Sequence, residues 1–231
     1  MAGLADDWTE RRQTCIDVLC AYLRMPYPQG PEDDTPADED PNGQANREVR
    51  LTVIRTIRDH LLPATPPETA WSGYDLDFTG AVFDGGDFSN ASFSGGKVRF
   101  TGATFCGGAV SFYGAKFSGS AVGFYGAVFS GGEVNFRSVT FSGGVVSFSS
   151  ATFSSGEVNF KGAMFSSGEV NFKGAKFSGA GVTFQTAQFD GGVVDMRDVA
   201  AWSRPPSFDD GLLTAPPAGL LLPGPLPKPK P

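Results

Sequence analysis

Phenylalanine recurs between residues 78 and 189 at separations of five and seven residues. The first four are five residues apart, and from Phe93 onward the separations alternate between seven and five, which gives a period of 12 residues. This pattern includes 20 of the 21 Phe in the chain. A fixed period maintained over more than 100 residues is typical of repeat architectures, in which each unit packs on its neighbours. We therefore predict a solenoid over this part of the chain.

The residues around each Phe predict β-strands. A small or β-branched residue usually stands two positions earlier, such as Ala103 before Phe105 and Val134 before Phe136. An apolar, polar, apolar alternation is typical of a strand with one buried face, so we expect this pair to point inward. Ser, Thr, Gly, Asp and Lys follow the Phe and suit turns. The intervening outward residues vary from repeat to repeat, which is typical of a solenoid surface.

The five-residue steps in "GAVFDGGDFSNASFSGG", residues 80–96, resemble the pentapeptide-repeat family. The resemblance implies a mainly β fold, namely a right-handed four-sided parallel β-helix with one pentapeptide on each side. From Ser94 onward every second side gains two residues, usually Gly or Ser, which makes the repeat a 12-residue 5+7 variant. Coils of 12 or 24 residues both fit this period. We favour 24, because the first four regular steps already place four Phe in one coil.

Two helical patterns precede the repeats. Residues 7–25 and 46–62 carry apolar residues at helical spacing, and Asp7 has the position of an N-cap. We predict that residues 1–70 form an α-helical hairpin that caps one end of a β-helix spanning residues 71–202. The acid-rich stretch 26–44 is interpreted as a solvated loop rather than a calcium site, because its acids lack the spacing of an EF-hand.

The helical patterns also resemble known sequences. "RRQTCIDVLCAYLRMPY", residues 11–27, and "REVRLTVIRTIRDHL", residues 47–61, look like the segment that precedes the repeats in actinobacterial pentapeptide-repeat proteins. At the other end, residues 203–231 are rich in Pro and are predicted to be a disordered tail. We interpret its PLPKPKP end as a spacer, with a polyproline ligand as the alternative.

The composition indicates a protein without an active site. The chain has one His and three Cys, and it contains neither a phosphate-binding loop motif nor ligands at metal-site spacing. We therefore predict no enzymatic activity and no cofactor. Cys15, Cys20 and Cys106 show no disulfide framework, which favours a reducing cytoplasm. Residues 71–198 contain 10 acids and 8 bases, so we expect no direct binding of nucleic acid, and no apolar run is long enough to span a membrane.

The remaining hypothesis is an interaction scaffold that binds an unidentified protein through its outer faces. The glutamates and lysines of the candidate surface are expected to form surface ion pairs, and its two tyrosines are expected to share one outward column. A homodimer through the C-terminal end is a further candidate assembly. The candidate surface consists of Tyr113, Tyr125, Glu133, Glu157, Glu169, Lys161 and Lys173.

A second hypothesis comes from the family resemblance. Some pentapeptide-repeat proteins bind DNA gyrase as DNA mimics and protect it from quinolones, which requires a strongly negative rod. The repeat region here has a net charge of only −2, from 10 acids and 8 bases. We therefore keep DNA mimicry as the alternative and the scaffold as the leading hypothesis.

Overall fold

The body of the molecule is a solenoid of parallel β-strands, stacked in about six turns and preceded by a short helical region. The computed structural model describes residues 2–26, 41–119 and 121–224. Most of the predicted acidic loop 26–44 lies outside the described residues, and so does the PLPKPKP end of the tail.

The helical region differs in detail from the prediction. It contains α1 (Ala2–Asp7), the 3-10 turn η1 (Thr9–Arg11), α2 (Arg12–Arg24) and α3 (Pro41–Asp59). Asp7 ends α1 and does not cap α2, whose N-cap residue Arg11 makes no side-chain capping bond. The Arg12 guanidinium explains the break, because it donates to the carbonyl oxygen of Ala5 at 3.0 Å and also to that of Glu68. This contact joins residues far apart in the chain and cannot be inferred from local spacing.

The described residues form sixteen strands in two parallel sheets. One sheet has nine strands, in the order β1-β4-β7-β9-β11-β14-β16 with β3 and β6 also pairing, and the other has seven, in the order β15-β12-β10-β8-β5-β2 with β13 on β10. The strands are β1 (Leu76–Asp77), β2 (Val82–Asp87), β3 (Ser92–Ser94), β4 (Lys97–Arg99), β5 (Thr104–Ser111), β6 (Lys116–Ser118), β7 (Ala121–Gly123), β8 (Val128–Asn135), β9 (Thr140–Ser147), β10 (Thr152–Asn159), β11 (Met164–Asn171), β12 (Lys176–Phe177), β13 (Gly181–Thr183), β14 (Val193–Asp195), β15 (Ala201–Trp202) and β16 (Leu220–Leu221).

Strand register establishes the length of one turn. Phe105 pairs with Phe129 and Phe129 pairs with Phe153, so successive turns are 24 residues apart. The same separation joins Phe117 to Phe141 in the other sheet. The 24-residue coil is therefore confirmed, and each turn contains two of the 12-residue units.

All 21 Phe stack in four columns that run through the interior. Within a column the rings lie nearly parallel: Phe124 and Phe148 have centroids 4.6 Å apart and an interplanar angle of 6°. Between columns the rings meet edge to face, as Phe136 and Phe148 do at 6.0 Å and 89°. The columns are Phe78–Phe100–Phe124–Phe148–Phe172, Phe83–Phe105–Phe129–Phe153–Phe177, Phe88–Phe112–Phe136–Phe160–Phe184–Phe208 and Phe93–Phe117–Phe141–Phe165–Phe189.

The seven-residue steps contain the bulge that the extra Gly and Ser predicted. In β10 the register with β8 shifts between Phe153 and Ser155, and pairing continues on both sides of the shift. Where backbone pairing is interrupted, the hydroxyl of Ser154 donates to the carbonyl oxygen of Phe129 at 3.2 Å. Gly156 follows with φ of 73°, and a Cβ there would collide with the carbonyl oxygen of Gly132. The bulge therefore needs glycine at this position.

The N-terminal helices cover the first turn of the solenoid. Two arginine side chains of α3 donate to backbone carbonyl oxygens of the first solenoid turn. Arg50 donates to the carbonyl of Val82 at 2.8 Å, and Arg58 donates to that of Ser89 at 3.1 Å. The backbone N–H of Ser92 in turn donates to the carbonyl of Leu61 at 2.7 Å. Unpaired strand groups at the end of a sheet invite association with other chains, and these contacts satisfy them internally.

The C-terminal tail does not follow the prediction of disorder from residue 203 onward. Phe208 stacks on Phe184 with centroids 5.3 Å apart, and Leu220 pairs with Val194 and is only 2% exposed. Residues 203–224 therefore add to the end of the solenoid. Trp202 pairs with Phe177 and continues its column.

Replacing a central Phe should cost more stability than replacing a terminal one. Phe148 stacks between Phe124 and Phe172, so Phe148→Ala should lower the free energy of unfolding by about 3–5 kcal/mol. Phe189 is 9% exposed and stacks only on Phe165, so Phe189→Ala should cost less. Urea unfolding followed by circular dichroism measures both, and equal losses would contradict the stacking account.

Thr186 lies in a turn with φ of 55°, a left-handed conformation that is strained for a β-branched residue. Thr186→Gly should therefore raise the free energy of unfolding by roughly 1 kcal/mol, since the relief of strain outweighs the added chain entropy. Gly162 occupies the same turn position one coil earlier, with φ of 67°. Gly162→Thr is the matched reverse change and should destabilise by a similar amount in the same assay.

Candidate interaction surface

Two consecutive turns of the seven-stranded sheet present a glutamate, an asparagine and a cation as outward side chains in the same order. Glu133 lies opposite Glu157, and Asn135 lies opposite Asn159, because β8 and β10 pair in register. In both turns a cation directly follows the buried Phe, namely Arg137 after Phe136 and Lys161 after Phe160. The N–H of Ser138, next to Arg137, donates to the carbonyl oxygen of Lys161 at 3.0 Å, which places the two cations in adjacent turns. We call this set the charged ladder, which consists of Glu133, Asn135, Arg137, Glu157, Asn159 and Lys161.

The two candidate tyrosines do not share a column, contrary to the prediction. Tyr113 lies one turn before Arg137, whereas Tyr125 lies between Thr101 and Ser149. Tyr113 is 46% exposed and Tyr125 is 56% exposed. The prediction was wrong because a separation of 12 residues is half a turn, not a full turn, and therefore leads to the other side of the solenoid.

The same half-turn separates the candidate charges into two groups. Glu169 belongs to β11 in the nine-stranded sheet, where its neighbours in the adjacent strands are Val145 and Val193. Lys173 lies one turn after Ser149, in the column of Tyr125. Of the three candidate glutamates, Glu133 and Glu157 are therefore neighbours, and Glu169 lies apart from them.

The surface ion pairs predicted for these charges do not form. Among the described residues, no Lys or Arg nitrogen lies within 4.0 Å of the carboxylates of Glu133, Glu157 or Glu169. Each glutamate precedes its cation by four residues, a spacing that brings side chains together on a helix. Here the glutamate lies on a strand and the cation lies in the turn that follows it, and the four residues span up to about 13 Å. The two ends of the ladder are therefore separate negative and positive poles.

Side-chain hydrogen bonds hold the backbone under the cations. The Oδ1 atom of Asn135 accepts from the N–H of Arg137 at 2.9 Å, and Asn159 holds Lys161 in the same way at the same distance. Ser111 likewise accepts from the N–H of Tyr113 at 3.3 Å. Asn and Ser are suited to this local turn because their short side chains reach the backbone two residues later. The cations therefore project from turns of defined geometry.

The corresponding residues of the nine-stranded sheet are engaged within the chain. Asn171 donates to Glu169 at 2.8 Å and accepts from the hydroxyl of Ser149 at 3.3 Å. Arg197 contacts Asp195 at 2.6 Å, and hydrogen bonds from this guanidinium hold the pKa of the carboxyl below its ordinary value. By contrast, Glu133 and Glu157 are exposed and accept no side-chain hydrogen bond from the described residues. The two glutamates of the charged ladder thus lack the side-chain partner that Glu169 has in Asn171.

The described residues contain no group of three or more side chains that could hold a metal ion. Burial raises the pKa of Cys20 to about 12, and burial together with the charge of Asp84 raises the pKa of the Cys106 thiol, so neither is a ready nucleophile. The ring nitrogens of His60 lie 2.7 Å from the Thr56 carbonyl oxygen and 3.2 Å from an Asp6 carboxylate oxygen. No described helix has the length and apolarity that crossing a membrane requires.

A cleft of about 420 Å³ separates α2 from the first turns of the solenoid, and sequence spacing did not reveal it. Polar side chains cross it: Arg24 binds Asp77 at 2.6 Å, and Gln13 donates to Asp17 at 2.8 Å and to the Asp75 carbonyl at 2.9 Å. The contacts of Arg24 with Asp77 and of Gln13 with Asp75 therefore hold the helical region on the solenoid.

Comparison with known families identifies the repeat. The family model for pentapeptide repeats (9 copies) matches residues 106–152 and 124–168. Residues 106–168 carry pentapeptide repeats. The matched residues lie within the solenoid and include the whole charged ladder, so the ladder belongs to the pentapeptide-repeat body. No curated protein and no solved structure matches the chain. The resemblance of the helical segment to actinobacterial proteins stays a prediction.

The contact between the helical region and the pentapeptide repeats should depend on pH through Asp77. Burial alone would raise the pKa of Asp77, but hydrogen bonds from Thr79 and attraction to Arg24 and Arg99 lower it overall. A carboxyl whose pKa is lower in the folded state stabilises the fold at pH values above its unfolded pKa, which is near 3.8. It loses that contribution as the pH falls through its folded pKa.

We therefore expect Asp77→Asn to be less stable than the parent at neutral pH, with a difference that shrinks as the pH falls below about 4. Asn retains an oxygen that can accept from Thr79, so the variant removes mainly the charge. Urea unfolding at a series of pH values measures the difference. A difference that is independent of pH would show that the ionised carboxylate does not stabilise this contact.

Proposed function

We propose that this chain is a non-catalytic interaction scaffold, which binds a protein partner through the outward side chains of its pentapeptide-repeat solenoid. The observation that carries the proposal is the charged ladder. Its two glutamates and two cations are exposed and make no ion pair with the described residues, although they lie on strands and turns of defined geometry.

The architecture supports this role through rigidity. A surface that is ordered before binding loses little conformational entropy when the partner arrives. The stacked Phe columns and the continuous strand pairing fix the outward positions, whereas the residue differs between turns in some columns, as in Tyr113, Arg137 and Lys161. Variation on a fixed frame is the usual basis of recognition by repeat proteins.

The charge distribution favours the scaffold over DNA mimicry. Arg137 and Lys161 form one cationic ridge, and Lys173 lies in a second column. A surface that binds DNA is positively charged, so these cationic ridges would repel it. We expect the purified protein to leave gyrase supercoiling unchanged at micromolar concentration, with or without a quinolone. Inhibition of supercoiling, or protection from the drug, would make the mimic the leading function.

We further propose a reducing compartment such as the cytoplasm, because Cys15, Cys20 and Cys106 are all unpaired. Nucleic acid is not proposed as a direct partner, since the repeat region has a slight net negative charge. A homodimer through the C-terminal end is a proposal that an analytical ultracentrifugation experiment on the full chain would test.

Site-specific photo-crosslinking in cells of the source organism tests the scaffold. A benzophenone amino acid replaces Tyr113, Tyr125, Lys161 or Lys173, one at a time, with the exposed Glu10 of the helical region as the control position. We expect at least one outward position of the solenoid to give a discrete adduct that excess wild-type protein suppresses. If all four positions give only the background seen at Glu10, the scaffold proposal fails.

A further inference from the structure

The charged ladder has dimensions that select the shape of its partner. Its negative and positive poles are four residues apart, a separation of at most about 13 Å, because the strand ends at Asn135 and Arg137 lies in the following turn. An α-helix with its side chains is about 10–12 Å wide, so one helix fits between the poles. The floor between them consists of Asn135 and Asn159, whose polar side chains lie flat on the strand ends through their bonds to the following backbone.

The repeat along the solenoid axis also fits a helix. Adjacent turns are about 4.8 Å apart, the usual distance between paired strands, and the pitch of an α-helix is about 5.4 Å. The mismatch is only about 0.6 Å per turn, which the long side chains of Arg137 and Lys161 can absorb. An extended chain repeats its side chains about every 6.6 Å, so it falls out of step by nearly 2 Å at each turn.

Addition of a partner strand is disfavoured on this face for a second reason. Strand addition needs unpaired backbone groups at a sheet edge. Here β8 lies between β5 and β10, and the backbone of each turn pairs with the turns on both sides. The face therefore offers only side chains to a partner, which matches recognition by the side chains of a helix.

We propose that the charged ladder binds an α-helix of a partner protein that lies along the solenoid axis and carries opposite charges on its two flanks. Acidic residues of the helix at positions i and i+4 face Arg137 and Lys161, and basic residues on the other flank face Glu133 and Glu157. The exposed ring of Tyr113 extends the cationic ridge by one turn. This inference rests on the proposed scaffold function and names the class of its partner.

The nine-stranded sheet contains a matched control. The segment "EVNFK" occurs at Glu157–Lys161 and again at Glu169–Lys173, half a turn away. The second copy has valines beside its glutamate, and Glu169 already binds Asn171. It therefore has the same residues and the same local fold as one rung of the ladder, but the next rung places a valine beside Glu169, and its two charges, Asp195 and Arg197, bind each other.

Two designed peptides of identical composition, each constrained as a helix by side-chain staples, serve as probes. The striped peptide carries Glu along one flank and Lys along the other, and the mixed peptide alternates the two charges on both flanks. Both are titrated into the full-length, isotope-labelled chain and followed by amide chemical shifts. We expect the striped peptide to shift the amides of residues 133–137 and 157–161, and the mixed peptide to bind at least tenfold more weakly.

Charge reversals test the residues directly. Arg137→Glu combined with Lys161→Glu should weaken binding of the striped peptide at least tenfold, while Lys173→Glu should change it less than twofold. A melting temperature close to that of the parent shows that each variant is folded. A second variant, Glu133→Lys with Glu157→Lys, should weaken binding by a similar factor through the opposite pole.

The outcomes separate the inference from the scaffold proposal. Equal binding of the striped and mixed peptides, or equal effects of the Lys161 and Lys173 reversals, would overturn the ladder as a helix-binding site. The same holds if the striped peptide does not bind at all. The scaffold would still stand if photo-crosslinking gave a suppressible adduct at another outward position, and it would fall only if no position gave one.

Discussion

The stacking of Phe rings at the distance between paired strands is the interaction on which the remaining structure depends. Each ring lies over the ring one turn earlier, as Phe129 lies over Phe105 at 4.9 Å, and this vertical alignment requires the same number of residues in every central turn. The 24-residue turn then determines which outward side chains become neighbours. Surface chemistry is therefore a consequence of interior packing, because in the central turns strand pairing places each outward residue beside the residue 24 positions away.

The sequence predicts the solenoid well because its signal is periodic and is repeated many times. The prediction fails where a single contact decides the structure. Phe208 stands one full turn, 24 residues, after Phe184 and stacks on it, but Met196 and Ala201 occupy the two intervening positions of the pattern, so the continuation into the Pro-rich tail was missed. The start of α2 is set by the Arg12 side chain, which binds carbonyl groups at both short and long range. The contacts of Arg12 carry no periodic signal.

The candidate surface shows a similar division. Alternation correctly identified the seven residues as outward, but the 12-residue period of the sequence suggested the wrong neighbours for Tyr125, Glu169 and Lys173. The ion pairs expected for the glutamates and lysines do not form, because a four-residue spacing brings side chains together on a helix but not along a strand and the turn that follows it. The support of the turns by Asn135 and Asn159 was missed, although an Asn or Ser directly before Phe is visible in the sequence and has this local function.

A pair of cysteine variants tests the neighbour relation most directly. In a Cys106→Ser background, Glu133→Cys with Glu157→Cys should form a disulfide under mild oxidation, because residues in paired strands lie about 4.8 Å apart, within the range that disulfides tolerate. Glu157→Cys with Glu169→Cys should not form one. Peptide mapping by mass spectrometry distinguishes the two results. A disulfide in the second variant and none in the first would contradict the 24-residue turn and, with it, the charged ladder.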